Sequence, residues 1–426
     1  MSLLGRVQDG EPRSLLRSGI YRVVEQTVRR VSAVPGVQLA LGAQTYWEPA
    51  LEYVETHPEL RRLRFPVAGR VRFGLRLRKQ AIAAHDRAGA RPTGALPVRV
   101  ASRVAGDANR ALDVLVHKIG RSTHARADVF HSPFYALPDA AQRARRVRYF
   151  LTVHDLIPQL LPQLLPEAVA SSGGDGFIRG VLGSIRPEDH VLAVSEHTRR
   201  DLLNAYPAVT PEHVRVTPLA ADPERFYPCD DADRVAAVRA KYGVPDAPYI
   251  LTVGTLAPHK NIPRLIRAFA DLVRAERLDD LHLVLTGAKG WGYEPIFEEL
   301  DRLDHVADRV VLTGYVDDED LAPLYSGALA FVYPSLYEGF GLPPLEAMQC
   351  GTPVITGNRA SLPEVVGDAG LMVDPYDQDA LAQAILDVYR SGETRRELAR
   401  RALARAREFT WARYADRTVA AYRAAL

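Results

Sequence analysis

The stretch from Ala328 to Met348 constrains the fold more than any other part of this chain, because it writes a strand, a tight loop and a helix start in immediate succession. Ala328 to Tyr333 is an unbroken apolar run that reads as a buried parallel strand, and Pro343-Pro344 followed by Leu345, Met348 and Cys350 reads as a helix with proline in its first turn. The loop between them, Pro334-Ser-Leu-Tyr-Glu338-Gly-Phe-Gly-Leu342, therefore lies at a strand's carboxyl end, where open parallel sheets bind ligands. Gly339 and Gly341 let backbone N–H groups come close to an anion, Phe340 and Leu342 complete the loop, and the helix N-terminus adds its partial positive charge. A pyrophosphate would be stabilised there.

Two carboxylates in the same segment, Glu338 and Glu346, need another kind of partner, since a carboxylate beside a phosphate is otherwise repelled. An ionised carboxylate accepts two or more hydrogen bonds and can grip a vicinal diol, so one glutamate would hold a nucleotide's ribose and the other a sugar carried on the phosphate. The competing account is a solvated loop glutamate and a helix-capping one. Upstream, Val253-Gly254 ends another apolar strand, Ile262, Leu265, Ile266 and Phe269 follow with helical spacing, and Thr255 to Asn261 connect them with Lys260 just before the helix. A lysine there suits the charge that builds on a departing phosphate, although an exposed helix-start lysine would read the same way.

His154 ends the run Leu151-Thr-Val-His, where its side chain would reach the ligand or be satisfied in the core, and Asp155 would orient it or cap a turn. His131 and Tyr135 follow a further strand and would line the same space or simply pack. Ser195, after the strand His190 to Val194, reads as a helix cap. The run Asp317-Asp318-Glu319-Asp320 invites a magnesium site, but Leu321, Leu324 and Tyr325 follow at helical spacing, so the acids are expected at a helix start with no metal.

At 426 residues with 47% hydrophobic content, the chain exceeds what one core organises, and two domains are expected. A net charge of +2 argues against a dedicated nucleic-acid binder. Two cysteines, Cys229 and Cys350, suit a reducing cytoplasm, and neither a leader nor a spanning segment is read from the sequence. Strands are expected at Val37 to Leu41, Val129 to His131, Tyr149 to Val153, His190 to Val194 and from Val214, with helices at Leu112 to Ile119 and Thr198 to Leu203. A polar, turn-rich stretch from Ala221 to Asp231 then precedes a second α/β pattern that starts at Tyr249. The expected division is residues 1–223, residues 224–410 and a final helix over 411–426 returning to the first domain.

Beyond these residue-level readings, the chain resembles the GT4 family of retaining glycosyltransferases. The residues that carry the likeness are Glu338 and Glu346 with seven between them, Tyr249-Ile-Leu-Thr-Val-Gly254-Thr-Leu-Ala-Pro-His-Lys260-Asn261, Val311-Leu-Thr-Gly314-Tyr-Val316, Gly351-Thr-Pro353-Val-Ile and Ser361-Leu-Pro363-Glu364-Val, in family order. The resemblance implies the GT-B architecture, two Rossmann-like doubly wound α/β domains facing across a cleft. It implies a hexose moved from a nucleoside-diphosphate sugar, which is substrate and not cofactor, to a hydroxyl of a glycan or lipid-linked acceptor, without a metal. His154, Glu338 and Lys260 are then catalytic. Gly254, Thr255, Lys260, Val316, Glu338, Gly339, Phe340, Gly341, Leu342 and Glu346 bind the donor, with the base beside Val316 and the ribose on Glu346. Gly19, in a glycine loop after Ser18, joins His131 and Tyr135 on the acceptor side. Thr255 replaces an arginine found in some branches, and His259 stands where many relatives carry arginine or glutamate. The blocks around His154 and Glu338 are similar to those of bacterial mannosyltransferases, which makes GDP-mannose the first donor expectation. A nucleotide-sugar-binding regulatory partner and a sugar-nucleotide epimerase are the alternatives. Eight basic residues between Arg61 and Lys79, with no acid among them, would rest on an anionic membrane surface or form a solvated loop, so the protein is expected in the cytoplasm or on the membrane's inner face.

Overall fold

The computed structural model describes residues 19–40, 127–139, 141, 143–165 and 174–426. The basic segment Arg61–Lys79, the helix expected at Leu112 to Ile119, and Ser18 lie outside the described residues. By contact the chain groups into two units, one of Met1–His131, Pro138–Tyr149 and Tyr422–Leu426 and one of Ser132–Leu137 and Phe150–Ala421. Among the described residues no helix is long and apolar enough to cross a membrane.

In the first unit, Gly19 opens a helix over Gly19–Val31 that buries Val23, Val24, Val28 and Val31. The expected glycine loop is therefore a helix from Gly19 onward, because these valines recur at helical spacing. The strand expected at Val37 to Leu41 is reduced to a single bridge residue, Ala40, over the part described. Residues 37–40 alternate between half-buried and exposed, which does not suit a strand covered on both faces. Tyr422 and Arg423 reach back within this unit, the Tyr422 hydroxyl to His131 Nδ1 at 2.6 Å and the Arg423 guanidinium to the Pro35 carbonyl at 2.9 Å.

Two parallel sheets carry the rest. The smaller runs β1 (Val129–Ser132), β2 (Arg148–Val153), β3 (His190–Ala193) and β4 (Val214–Val216) side by side in that order. The larger has β5 (Tyr249–Val253), β6 (His282–Thr286), β7 (Val310–Gly314), β8 (Ala330–Tyr333), β9 (Val354–Gly357) and β10 (Leu371–Val373) in the order β10-β9-β8-β5-β6-β7. Leu251, Leu283, Val284, Phe331, Val332, Val354 and Ile355 are wholly buried although neighbouring residues point to opposite faces, so helices cover both sides.

The strand order creates one switch point. From β5 the chain builds outward through β6 and β7, then returns to lay β8 on the opposite edge of β5, with Ile250 opposite Ala330 and Leu251 opposite Phe331. In open parallel sheets the loops that leave the strands at such a switch point border the place where ligands bind. These are the loops that hold Lys260 and Glu338.

The β5 loop is set by Asn261, which takes the left-handed conformation (φ 58°) before the helix Ile262–Glu276. Its side-chain amide donates to the Pro334 carbonyl at 3.2 Å and the Pro375 carbonyl at 2.7 Å, tying the loops after β5, β8 and β10 together. The helix then buries Leu265, Ile266, Phe269, Leu272 and Val273 against the sheet. Asn261→Ala should lower stability by about 2–4 kcal/mol, from left-handed strain and two lost bonds. Asn261→Gly should recover the strain part alone, and urea midpoints that rank alanine level with glycine would contradict this origin.

Candidate functional site

Lys260 and Glu338 meet at the switch point. Lys260 Nζ lies 2.6 Å from Glu338 Oε1, and the Ser335 hydroxyl donates to the same oxygen at 2.6 Å. Lys260 also donates to the Tyr333 hydroxyl, with its ammonium 4.9 Å from the centre of that ring. An ammonium has three donors, so these two bonds leave a third for an incoming anion. Glu338 is buried, and burial works to raise its pKa. The charge of Lys260 and the bonds from Lys260 and Ser335 outweigh that effect and hold the carboxyl below its ordinary value. Tyr333 is held neutral, first by burial and then by the Glu338 charge.

The glycines earn their positions by close approach. A Cβ on Gly339 would stand 1.7 Å from the His154 carbonyl oxygen, so no side chain fits where the two segments pass. Gly341 takes φ 104° as the cap of the helix Leu342–Gln349, a conformation that favours glycine. The carbonyls of Glu338, Gly339 and Phe340 each face a hydroxyl. Ser361 Oγ lies 2.8 Å from both the Glu338 and Phe340 carbonyls and shares its one proton between them, and the His259 carbonyl accepts from the Leu336 N–H at 2.7 Å. Glu346 is buried in the helix and accepts from the Tyr325 hydroxyl at 3.2 Å.

His154 Nε2 lies 2.8 Å from the Pro133 carbonyl, so that nitrogen carries the proton and Nδ1 is left as an acceptor. Burial lowers its pKa, partly opposed by that carbonyl, and the ring is neutral at pH 7. Asp155 accepts from the Ile157 N–H at 3.1 Å, which settles it as a turn cap, and burial raises its pKa. Ser195 caps the helix Glu196–Ala205 through the Thr198 N–H as expected. It also donates to the Gly339 carbonyl at 2.6 Å, a contact that sequence reading did not supply.

Other expected residues stand apart from this pair. Val316 is buried just after β7, two strands from β5. Thr255 is exposed beside Gly254. His131 belongs to the first unit and contacts Tyr422, whereas Tyr135 packs edge-on against Phe134 at 5.2 Å and Phe177 at 5.7 Å. The acidic run does precede the helix Leu321–Ser326, but no side chain caps it. Its charges are met instead by Arg225 on Asp318 at 2.8 Å and by Lys241 on Asp317 at 3.1 Å and Asp320 at 2.6 Å. Tyr333, Ser335 and Ser361 join the site only in the folded chain; the signals they carry in sequence are the place of Tyr333 and Ser335 next to the Glu338 loop and that of Ser361 at the head of the Ser361-Leu-Pro363-Glu364-Val block.

His259 is buried against Trp291, with ring centres 5.8 Å apart and an interplanar angle of 25°, and its Nδ1 has no hydrogen-bond partner. Burial, then the Lys260 charge, lowers its pKa to about 4. The unfolded chain therefore binds a proton near pH 6.5 that the folded chain refuses until about 4. Stability from this group is complete above pH 6.5 and falls as pH drops through that window, by up to about 3 kcal/mol. His259→Phe should keep the packing on Trp291 and flatten this part of the profile. Parallel wild-type and variant curves of unfolding free energy between pH 7 and 5 would contradict the assignment.

Comparison with known proteins adds an independent line. Residues 236–405 match the family described as Glycosyl transferases group 1, and residues 76–225 match Glycosyltransferase Family 4. The chain is 35% identical over 301 residues to the O-antigen chain mannosyltransferase B of Escherichia coli, covering 69% of this chain and 74% of that protein. It is 34% identical over 255 residues to an MMP alpha-(1->4)-mannosyltransferase of Mycolicibacterium hassiacum, covering 59% of this chain and 58% of that one. The serotype-specific mannosyltransferase WbdA of Escherichia coli is 32% identical over 267 residues, 61% of this chain, which spans about a third (31%) of WbdA's length. Among solved structures, sucrose-phosphate synthase from Thermosynechococcus elongatus superposes with a TM-score of 0.58 at 26% identity, covering 74% of this chain and 77% of that one. WaaG, a glycosyltransferase involved in lipopolysaccharide biosynthesis, superposes with a TM-score of 0.63 at 16% identity over 95% of both chains, a likeness of fold.

Proposed function

The chain belongs to the GT4 family of glycosyltransferases and has the GT-B fold, and from that premise we propose that it transfers mannose from GDP-mannose, with retention, to a hydroxyl of a glycan or glycolipid acceptor in surface-polysaccharide assembly. The observation that carries the reading is the pairing of half-buried Lys260 with buried Glu338 at the switch point between β5 and β8. Mannose is favoured because the O-antigen, MMP and WbdA relatives are mannosyltransferases.

In this reading the pyrophosphate lies at the N-terminus of the helix Leu342–Gln349, near the amides of Gly339 and Gly341, and the third Lys260 N–H donates to a phosphate oxygen. Glu346 accepts from the ribose hydroxyls. Glu338 accepts from hydroxyls of the transferred sugar, and neutral His154 offers Nδ1 to another. As the bond between C1 and the phosphate oxygen breaks, Lys260 and the loop amides stabilise the charge that collects on the leaving group. The acceptor oxygen bonds to C1 on the same face, and its proton passes to the departing phosphate. Lys260 and the helix N-terminus fill the place a metal ion holds in other sugar-nucleotide enzymes, so turnover should persist in chelator.

Two measurements test this. GDP should raise the melting temperature more than UDP, ADP or dTDP, and preference for UDP would overturn the donor assignment. Glu346→Ala should weaken nucleotide binding by the loss of about 1.5–3 kcal/mol, whereas Glu338→Ala should chiefly lower kcat. Equal nucleotide affinity and turnover in wild type and both variants would sink the roles given to the glutamates. Lys260→Ala leaves a buried carboxylate unpaired, so Lys260→Met combined with Glu338→Gln is the control that separates lost chemistry from lost folding.

A further inference from the structure

Three side chains on one side of the helix Glu196–Ala205 and its cap reach the residues that flank Glu338. Ser195, Thr198 and Asp201 are spaced by three and so rise along one face. Ser195 Oγ and Thr198 Oγ1 both donate to the Gly339 carbonyl, at 2.6 and 2.9 Å, and both residues are wholly buried. The Tyr337 hydroxyl donates to Asp201 Oδ2 at 2.5 Å. That carboxylate is held in turn by His197 Nε2 at 3.1 Å, and the His197 ring stands edge-on to Tyr337 with centres 5.5 Å apart. Glu364 steadies the helix by accepting from the Glu196 and His197 N–H groups at 2.9 and 3.3 Å.

We propose that Thr198, Asp201 and Tyr337 are positioning residues for the Glu338 carboxylate in sugar transfer, acting through the residues before and after it. This rests on the reading of Glu338 as the group facing the transferred sugar. The carboxylate stands at the end of a side chain whose direction follows its backbone, and small displacements of a reacting constellation cost large factors in rate. Tyr337 is held on one side and the Gly339 carbonyl on the other, while Ser361 holds the Glu338 carbonyl itself. The ribose contact given to Glu346 lies further along the chain and does not pass through these bonds, and of the pyrophosphate contacts only the Gly339 amide belongs to the segment they hold. Losing them should therefore lower kcat and spare nucleotide affinity.

The test uses the full chain with Thr198→Val, Tyr337→Phe and Asp201→Asn, and with Thr198→Ser as the conservative rescue. Ser195 stays intact because it caps the helix. Turnover is read as nucleotide release from whichever of GDP-mannose and UDP-glucose the wild type consumes, and affinity as the Kd of the matching nucleotide. Thr198→Val and Tyr337→Phe should each lower kcat roughly tenfold, the scale of one net hydrogen bond. Nucleotide Kd should stay within about twofold, Thr198→Ser should restore kcat, and Asp201→Asn, which weakens the bond that Tyr337→Phe removes, should add little to Tyr337→Phe. Unchanged kcat in these variants, with Glu338→Ala inactive, would overturn the positioning role. Equal losses in kcat and Kd with a lowered unfolding midpoint would overturn it too, assigning the bonds to stability. Full activity in Glu338→Ala would instead overturn the underlying reading of the site.

Discussion

Everything at this site depends on an ion pair between a half-buried ammonium and a buried carboxylate that would not survive alone. Removing the Lys260 ammonium and the Glu338 carboxylate from water costs several kcal/mol per ion, and their attraction offsets that cost only with good geometry and further hydrogen bonds. The structure supplies those bonds at both ends, Ser335 on the carboxylate and Tyr333 on the ammonium. The pair is therefore a stored charge arrangement. It presents a cation with a donor to spare and an ionised carboxylate with lone pairs to spare, in surroundings where both interact more strongly than in water.

The fold delivers the two charges from loops far apart in sequence. β5 and β8 are adjacent strands, yet β6 and β7 come between them in the chain, which sets their exit loops at the switch point where open parallel sheets bind ligands. A buried loop has to satisfy its own backbone. Here hydroxyls do part of this, Ser361 for Glu338 and Phe340 and Ser195 and Thr198 for Gly339, while the Asn261 amide meets the Pro334 carbonyl and the Leu336 N–H the His259 carbonyl. Glycine at 339 is required by the His154 carbonyl that passes it.

Much of this was legible in the chain. Apolar runs that end at glycine or proline located β5 and β8 closely, because a parallel strand covered on both faces must be apolar throughout. Proline at 343 and 344 marked the start of the helix that carries Glu346, since proline loses nothing in a first turn. The reading failed where local pattern is weak. Gly19 heads a helix, and residues 37–40 form only a bridge, because short valine-rich stretches fit either periodicity until packing chooses. The acidic run was placed at a helix start correctly, but its charges are balanced by Arg225 and Lys241, distant in sequence.

By itself the sequence determined which residues could carry the chemistry and which strand end each occupies, since those follow from residue type, period and proximity along the chain. It could not determine which charges meet. That Lys260 lies against Glu338, that Tyr333 shares the ammonium and that Ser195 and Thr198 hold the Gly339 carbonyl depend on strand order and on the approach of segments 78, 73, 144 and 141 residues apart. Such contacts leave no periodic trace in a single chain, because a hydroxyl that satisfies a distant carbonyl has the same local sequence as one that faces water.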